Sequence, residues 1–178
     1  MKRNVERAAI MMAAACMVVI VSSCTSADRE PQLIAAFPAD GLHGLVDTTS
    51  VYYDEQVSSD GDGSLRVTSD EPFSAHLYEL DDVDVENAML IYRAQVKTRD
   101  VDGHAYVEMV CHFPDGKGYF SRALETPLYG TSDWTTQETP FDLKKGETPL
   151  KIEVNLVISG SGTVWIDEIE IWAAPRSQ

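Results

Sequence analysis

Cysteine is scarce in this chain, and the little there is cannot staple it. Of the three cysteines, Cys16 and Cys24 lie within or just after an N-terminal apolar run, which leaves Cys111 without a partner. A disulfide framework is excluded. Histidine is equally sparse: His43, His76, His104 and His112 stand at no spacing that a local zinc motif needs. No serine sits in a nucleophile elbow. Basic charge is short as well, with 14 Lys+Arg against 29 Asp+Glu and a formal net charge of −15. Such a surface repels phosphate backbones and anionic headgroups, which argues against a nucleic-acid partner.

What is present begins with an export signal. Lys2, Arg3 and Arg7 precede the apolar run Ala8 to Val21, which ends in Val21-Ser22-Ser23-Cys24. The run is too short and wrongly flanked for a comfortable membrane span. Its last four residues resemble the bacterial lipobox, with valine in place of the commoner leucine. In that motif the cysteine is diacylated and becomes the first residue of the mature chain. The resemblance implies a signal peptide over 1–23, lipidation at Cys24 and an acyl anchor in the bacterial cell envelope. No aspartate follows the cysteine (Thr25 does), so the outer membrane is favoured where there are two membranes. An ordinary cleaved signal is the alternative. Residues 24–32 read as a polar tether and 33–178 as one domain. Removing 1–23 takes away Lys2, Arg3, Arg7 and Glu6, leaving 11 basic against 28 acidic side chains, a net of −17. The remaining 155 residues suffice for a core without covalent staples.

Helical periodicity is almost absent from the body. Short alternating runs recur instead, separated by Gly, Asp, Pro and Ser clusters. Strands are expected at Ser64–Thr68, Phe73–Leu80, Ala88–Lys97, His104–Phe113, Tyr119–Leu124, Trp134–Leu143 and Leu150–Ile158, with a long loop over Leu124–Asp133. In two of them the inward sides are Leu90, Tyr92, Ala94 and Val96, then Ala105, Val107, Met109, Cys111 and Phe113. Cys111 is therefore expected to be a buried small hydrophobe. The closing segment, Gly162-Thr163-Val164-Trp165-Ile166-Asp167-Glu168-Ile169, alternates after a glycine turn and carries an acidic kink. Eight to ten strands at this spacing argue for an all-β, antiparallel β-sandwich of the jelly-roll kind.

The stretch from Asp60 to Trp172 resembles carbohydrate-binding modules of the galactose-binding-domain-like jelly-roll group. The residues that carry this are Asp60-Gly61-Asp62-Gly63-Ser64-Leu65-Arg66-Val67, then Trp134 before a strand with Phe141, then the closing Gly162 to Ile169. The resemblance implies a structural calcium where the early acidic loop meets the closing strand. Asp60, Asp62 and Asp167 would supply hard oxygens of the kind calcium takes. The alternative is that Asp60 and Asp62 are ordinary turn residues.

Outward side chains offer a ligand face. Arg93 and Gln95, then Tyr106, Glu108 and His112, then Glu153 and Asn155 combine a planar ring with amide, carboxylate and guanidinium groups, the set that binds sugar hydroxyls. Trp134 is either a loop platform for the ligand or a plug at the end of the core. Trp165, between inward Val164 and Ile166, is expected to point outward or against the N-terminal segment, and Tyr119, Phe120 and Tyr129 are alternative loop aromatics. No catalytic residue is assigned; Glu108 and Glu153 are the least poor pair for glycoside hydrolysis. The sequence thus reads as a monomeric, non-enzymatic lipoprotein whose domain binds a polysaccharide or surface glycan. A protein-docking module of the envelope is the alternative, and a hydrolase a distant third.

Overall fold

Alternation of buried and exposed side chains builds this domain strand by strand. The computed structural model describes residues 30–176, so the signal sequence, Cys24 and most of the tether lie outside the described residues. Among the described residues nine strands form: β1 (Gln32–Phe37), β2 (Val51–Asp54), β3 (Ser64–Ser69), β4 (Phe73–Asp81), β5 (Ala88–His112), β6 (Gly118–Arg122), β7 (Leu128–Leu143), β8 (Lys151–Ile158) and β9 (Ser161–Pro175). All pairings are antiparallel. Among the described residues there is no helix. The fold is an all-β curled sheet, as the alternation predicts.

The principal departure from expectation is β5. Two strands were expected, at Ala88–Lys97 and His104–Phe113, but a single strand of 25 residues runs through both. Its first part pairs with β9 on one edge and β7 on the other. Its last part, from Ala105, pairs with β8 and β6. Between these parts the register slips on both edges, and Asp100 (φ 52°) and Gly103 (φ 95°) adopt left-handed backbone. Bulges of this kind bend a strand without ending its ladder. β5 thereby belongs to both layers, one built from β1, β2, β3, β9, β5 and β7 and the other from β4, β8, β5 and β6. β7 also starts earlier than expected: Leu128 pairs with Ala105, so the anticipated long loop is partly strand.

The glycine turn between β8 and β9 is explained by this bend. A Cβ on Gly160 would stand 1.7 Å from the Asp102 carbonyl oxygen, and one on Gly162 2.7 Å from Val101 Cα. Only glycine lets the turn nest against β5.

Between the layers lies one apolar cluster. Leu90, Tyr92 and Val96 from the bent strand meet Leu65, Ile166, Ile169 and Ile171 from one layer and Leu77, Ile152, Leu156 and Ile158 from the other. Burying each such aliphatic side chain contributes about 1.5–3 kcal/mol. Cys111 is fully buried and free, and burial pushes its thiol pKa up to about 12, so it is inert packing. Trp165 points outward as expected, yet it is covered. Its Nε1 donates to Asp54 Oδ2 at 2.9 Å, and the Arg99 guanidinium lies 4.9 Å from the ring centre.

β9 carries the acidic kink. Its free edge pairs with β3 through Ile166 and with β1 from Ile169 onward. Asp167 and Glu168 sit at the exchange, with Glu168 at φ 46°. Left-handed backbone at a non-glycine costs of order 1–3 kcal/mol.

Candidate functional site

Strand register assembles a polar face on the outer side of the second layer. Val107, Met109 and Cys111 of β5 and Val154 and Leu156 of β8 are core residues, so their alternate neighbours face out. Glu108 lies opposite Asn155 on one side and Arg122 on the other, and Asn155 lies opposite His76. The next row places Val110 against Phe120 and Glu153, with Glu153 opposite Glu79. Tyr106 and His112 stand at the two ends of this part of β5.

Several of these side chains are far more enclosed than an ordinary solvated sheet face would leave them. Tyr106 and Glu108 are each 8% exposed and Asn155 6%. Arg122 Nε donates to Glu108 Oε2, and Asn155 Nδ2 donates to Glu108 Oε1 at 3.3 Å. That pairing holds the guanidinium pKa above its ordinary value. Asn155 Oδ1 is buried and has no partner. The Arg122 guanidinium covers the Phe120 ring at 3.9 Å from its centre, and Phe120 is 60% exposed. Tyr106 stacks on His104, which in turn contacts Tyr129.

A second polar knot adjoins this group. Lys151 Nζ lies 2.9 Å from both Glu79 Oε1 and Glu153 Oε1, and His112 Nε2 lies 2.8 Å from Glu153 Oε1. Burial pushes the Glu153 carboxyl upward, but the Lys151 donor and the nearby positive groups outweigh it and hold the pKa below the usual range. Where β6 meets β7, a cleft of about 800 Å³ opens beside Phe120, walled by Phe113, Tyr119, Phe141 and Lys144.

The structure thus brings together five of the eight side chains expected to bind ligand: Tyr106, Glu108, His112, Glu153 and Asn155. Arg93 and Gln95 belong elsewhere. They lie on the outer side of the first layer, because β5 bends between them and Tyr106. There Arg93 Nε donates to Glu138 at 2.7 Å and Gln95 Nε2 to Thr136 at 3.0 Å. Trp134 sits half-buried in β7 beside the irregular pairing of Thr98 and Val96, outside both the core and this face. It is neither a core plug nor a platform for the Tyr106 side. Three members of the face were missed: His76, Arg122 and Lys151. Phe120 was expected as a loop aromatic and lies in β6 instead, and the alternation Phe120-Ser121-Arg122 in a strand returning beside Glu108 was the available signal for Arg122.

The acidic site also differs from expectation in one member. Asp40, Asp60 and Asp167 bring carboxylate oxygens within 4.8 Å of one another, and Asp62 is not part of this group. Asp62 instead offers its backbone carbonyl to the Tyr53 hydroxyl at 2.6 Å. Asp167 is fully buried; Ser59 donates to its Oδ2 from N and Oγ, at 2.9 and 2.7 Å. Desolvation, then the charges of Asp60, Asp62 and Asp167, raise the pKa of Asp40. The donors are all oxygen, which fits a hard cation such as calcium.

Comparison with solved structures places this architecture. A family 16 carbohydrate-binding module matches with a TM-score of 0.55 at 15% identity, over 74% of this chain and 92% of that one. The CBM22-1 xylan-binding domain from Paenibacillus barcinonensis Xyn10C matches with a TM-score of 0.61 at 14% identity, over 84% and 99%. The fold is their jelly roll. A further xylan-binding domain of the CBM22 group gives 0.53 at 12% identity, over 82% and 97%. No protein-family model and no curated protein matches the sequence.

Proposed function

We propose that this chain is a non-catalytic glycan-binding lipoprotein, anchored in the bacterial envelope through Cys24, that holds a polysaccharide against the Tyr106–Glu108–Asn155–Arg122 face. The observation that carries the reading is Asn155. Its Oδ1 is a buried acceptor with no donor, on a face where Phe120 offers an exposed ring and Glu108 and Arg122 offer charged hydrogen-bonding groups. A sugar supplies what is missing, since its hydroxyls donate and accept while its ring packs flat on an aromatic surface. The likeness to xylan-binding and other carbohydrate-binding modules supports the same ligand class.

Glu108 and Glu153 are poor catalysts here. The first is held by Arg122 and Asn155 and the second by Lys151, so neither is poised as a proton donor. The acidic trio of Asp40, Asp60 and Asp167 would hold one calcium ion, pinning β9 at its kink to the 55–63 loop. Affinity electrophoresis of the full chain through gels cast with different polysaccharides tests the main reading. Retardation by at least one polymer, lost in Asn155→Ala, is the expected result. No retardation by any polymer, together with capture of an envelope protein through this face, would replace it with a protein-docking role. Release from the membrane fraction on Cys24→Ala is expected for the anchor, and retention would remove that assignment.

A further inference from the structure

The four histidines show no metal-binding spacing in the sequence, yet the fold gives one of them two carboxylate neighbours. His76, Glu79 and Glu153, carried by the paired strands β4 and β8, each bring one possible ligand atom within 4.8 Å of the others. His76 Nε2 is 3.4 Å from Glu79 Oε1, and His112 Nε2 on the adjacent β5 is 2.8 Å from Glu153 Oε1. Both imidazole Nε2 atoms are shielded from water, and despite these short contacts neither makes an aligned hydrogen bond. A cation centre already stands among these groups, namely the Lys151 ammonium at 2.9 Å from each glutamate.

We propose that His76, Glu79 and Glu153, with His112 beside them, form a binding site for a divalent transition-metal ion of the zinc class, which enters by displacing the Lys151 ammonium. The donor set decides the class. An imidazole nitrogen with two carboxylates is a set zinc takes at about 2.0–2.2 Å, whereas calcium prefers an all-oxygen shell. Three adjacent strands fix the ligands, so little backbone ordering remains to be done on binding. Lysine satisfies the carboxylates but donates to neither imidazole Nε2. An ion can use His76, Glu79 and Glu153 at once, with His112 standing 2.8 Å from Glu153 as the neighbouring group. Lys151 can leave, since its side chain is partly exposed on a flexible stem. This site is chemically distinct from the Asp40–Asp60–Asp167 group, which has no nitrogen donor, and does not depend on a glycan being bound.

The test is a titration of the full chain, free of any histidine tag, with zinc chloride, followed by heat of binding and by melting temperature. Cobalt(II) serves as a second probe, since ligation by nitrogen and oxygen gives it a visible absorption band. Zinc is expected to bind and to raise the melting temperature. His76→Gln, which removes the ligand at similar volume, and the double change His76→Ala with His112→Ala should both abolish that rise. Lys151→Ala should tighten zinc binding, because the competing cation is gone. Zinc binding undiminished in both histidine variants overturns the site. So does an absence of zinc binding in the unaltered chain and in Lys151→Ala alike. A calcium-induced rise that vanishes with the histidines would also overturn the assignment to the zinc class.

Discussion

Asn155 on β8 donates its Nδ2 to Glu108 Oε1 on β5 at 3.3 Å, while its own Oδ1, enclosed by the same neighbours, receives nothing. A buried acceptor left without a donor costs about 1–3 kcal/mol, and a ligand hydroxyl that displaces the groups covering it would recover that. Asn155→Ala is therefore expected to weaken polysaccharide binding by roughly tenfold or more, since each 1.4 kcal/mol is a factor of ten. Its effect on thermal stability should be small by comparison, because the change also removes the unsatisfied group. Titration calorimetry and thermal melting on the same variant separate the two. Unchanged affinity beside a large fall in melting temperature would mean that Asn155 is structural only.

Arg122 and Glu108 form the pair on which that face is organised. Glu108 is nearly enclosed, whereas Arg122 is over a third exposed, so solvent screens part of their attraction. Removing the arginine leaves an enclosed carboxylate with only Asn155 as donor. Arg122→Ala is expected to lower stability by about 1–3 kcal/mol, the range for a hydrogen bond to a charged group. The double change Arg122→Ala with Glu108→Gln should recover part of that loss, because no uncompensated charge remains. Urea unfolding of the four proteins measures the coupling.

The strand pattern was legible because burial on one face and solvent on the other impose a period of two, and Ala88–Lys97 and His104–Phe113 both show it. The joining of those two runs was not legible. Asp100 and Gly103 look like ordinary turn residues, and only the flanking strands β7 to β9, distant in sequence, reveal them as a bend inside one strand. Arg93 and Gln95 were misplaced for that reason: outwardness can be read locally, but which layer a residue belongs to is decided by the bend. Asp40 was missed in the acidic group because it lies some twenty residues before Asp60, in a stretch without periodicity, and reaches Asp167 only through the fold. His76 and Lys151 join the polar face through β4–β8 register, which no single-strand pattern contains.

That bend makes its own prediction at Gly160. An alanine Cβ there would fall 1.7 Å from the Asp102 carbonyl oxygen, a backbone atom that no rotamer change can move aside. Gly160→Ala should cost at least about 1–3 kcal/mol, the usual range for overpacking. Gly41→Ala is the control, since nothing lies within 4 Å of its added Cβ and, like Gly160, it is not in left-handed backbone. Equal losses in the two variants, measured by denaturant midpoint, would mean that the nested turn does not hold the layers together.

Asp40 bears on the calcium reading through the sign of its shift. Burial and then the neighbouring aspartates raise its pKa, so the ionised form is disfavoured in the folded state. That penalty is absent below the ordinary aspartate value of about 3.9 and complete once the pH exceeds the raised folded value. Asp40→Asn is therefore expected to raise the melting temperature at neutral pH in the presence of chelator, with the gain disappearing in acid. Adding calcium should reverse the order, stabilising the unaltered chain more than the variant. If calcium shifts both proteins equally, Asp40 is not a ligand.

Asp54 carries the opposite sign, and Trp165 is the reason. The indole Nε1 donates to Asp54 Oδ2 at 2.9 Å, which lowers the carboxyl pKa most; burial opposes it, and the Gln56 backbone N–H and Arg66 assist. A depressed folded value stabilises the protein above the ordinary aspartate value of about 3.9, and that contribution is lost as pH falls through the lower folded value. Trp165→Phe keeps most of the ring beneath Arg99 but removes the donor. The variant should be less stable than the parent at pH 7, and the two melting temperatures should draw together as the pH falls below about 4 and the carboxyl protonates. Asp54→Asn should show the same convergence, since an amide has no charge to lose. A gap between parent and Trp165→Phe that stays constant down to pH 2 would assign the tryptophan's contribution to packing alone, with no part for its hydrogen bond.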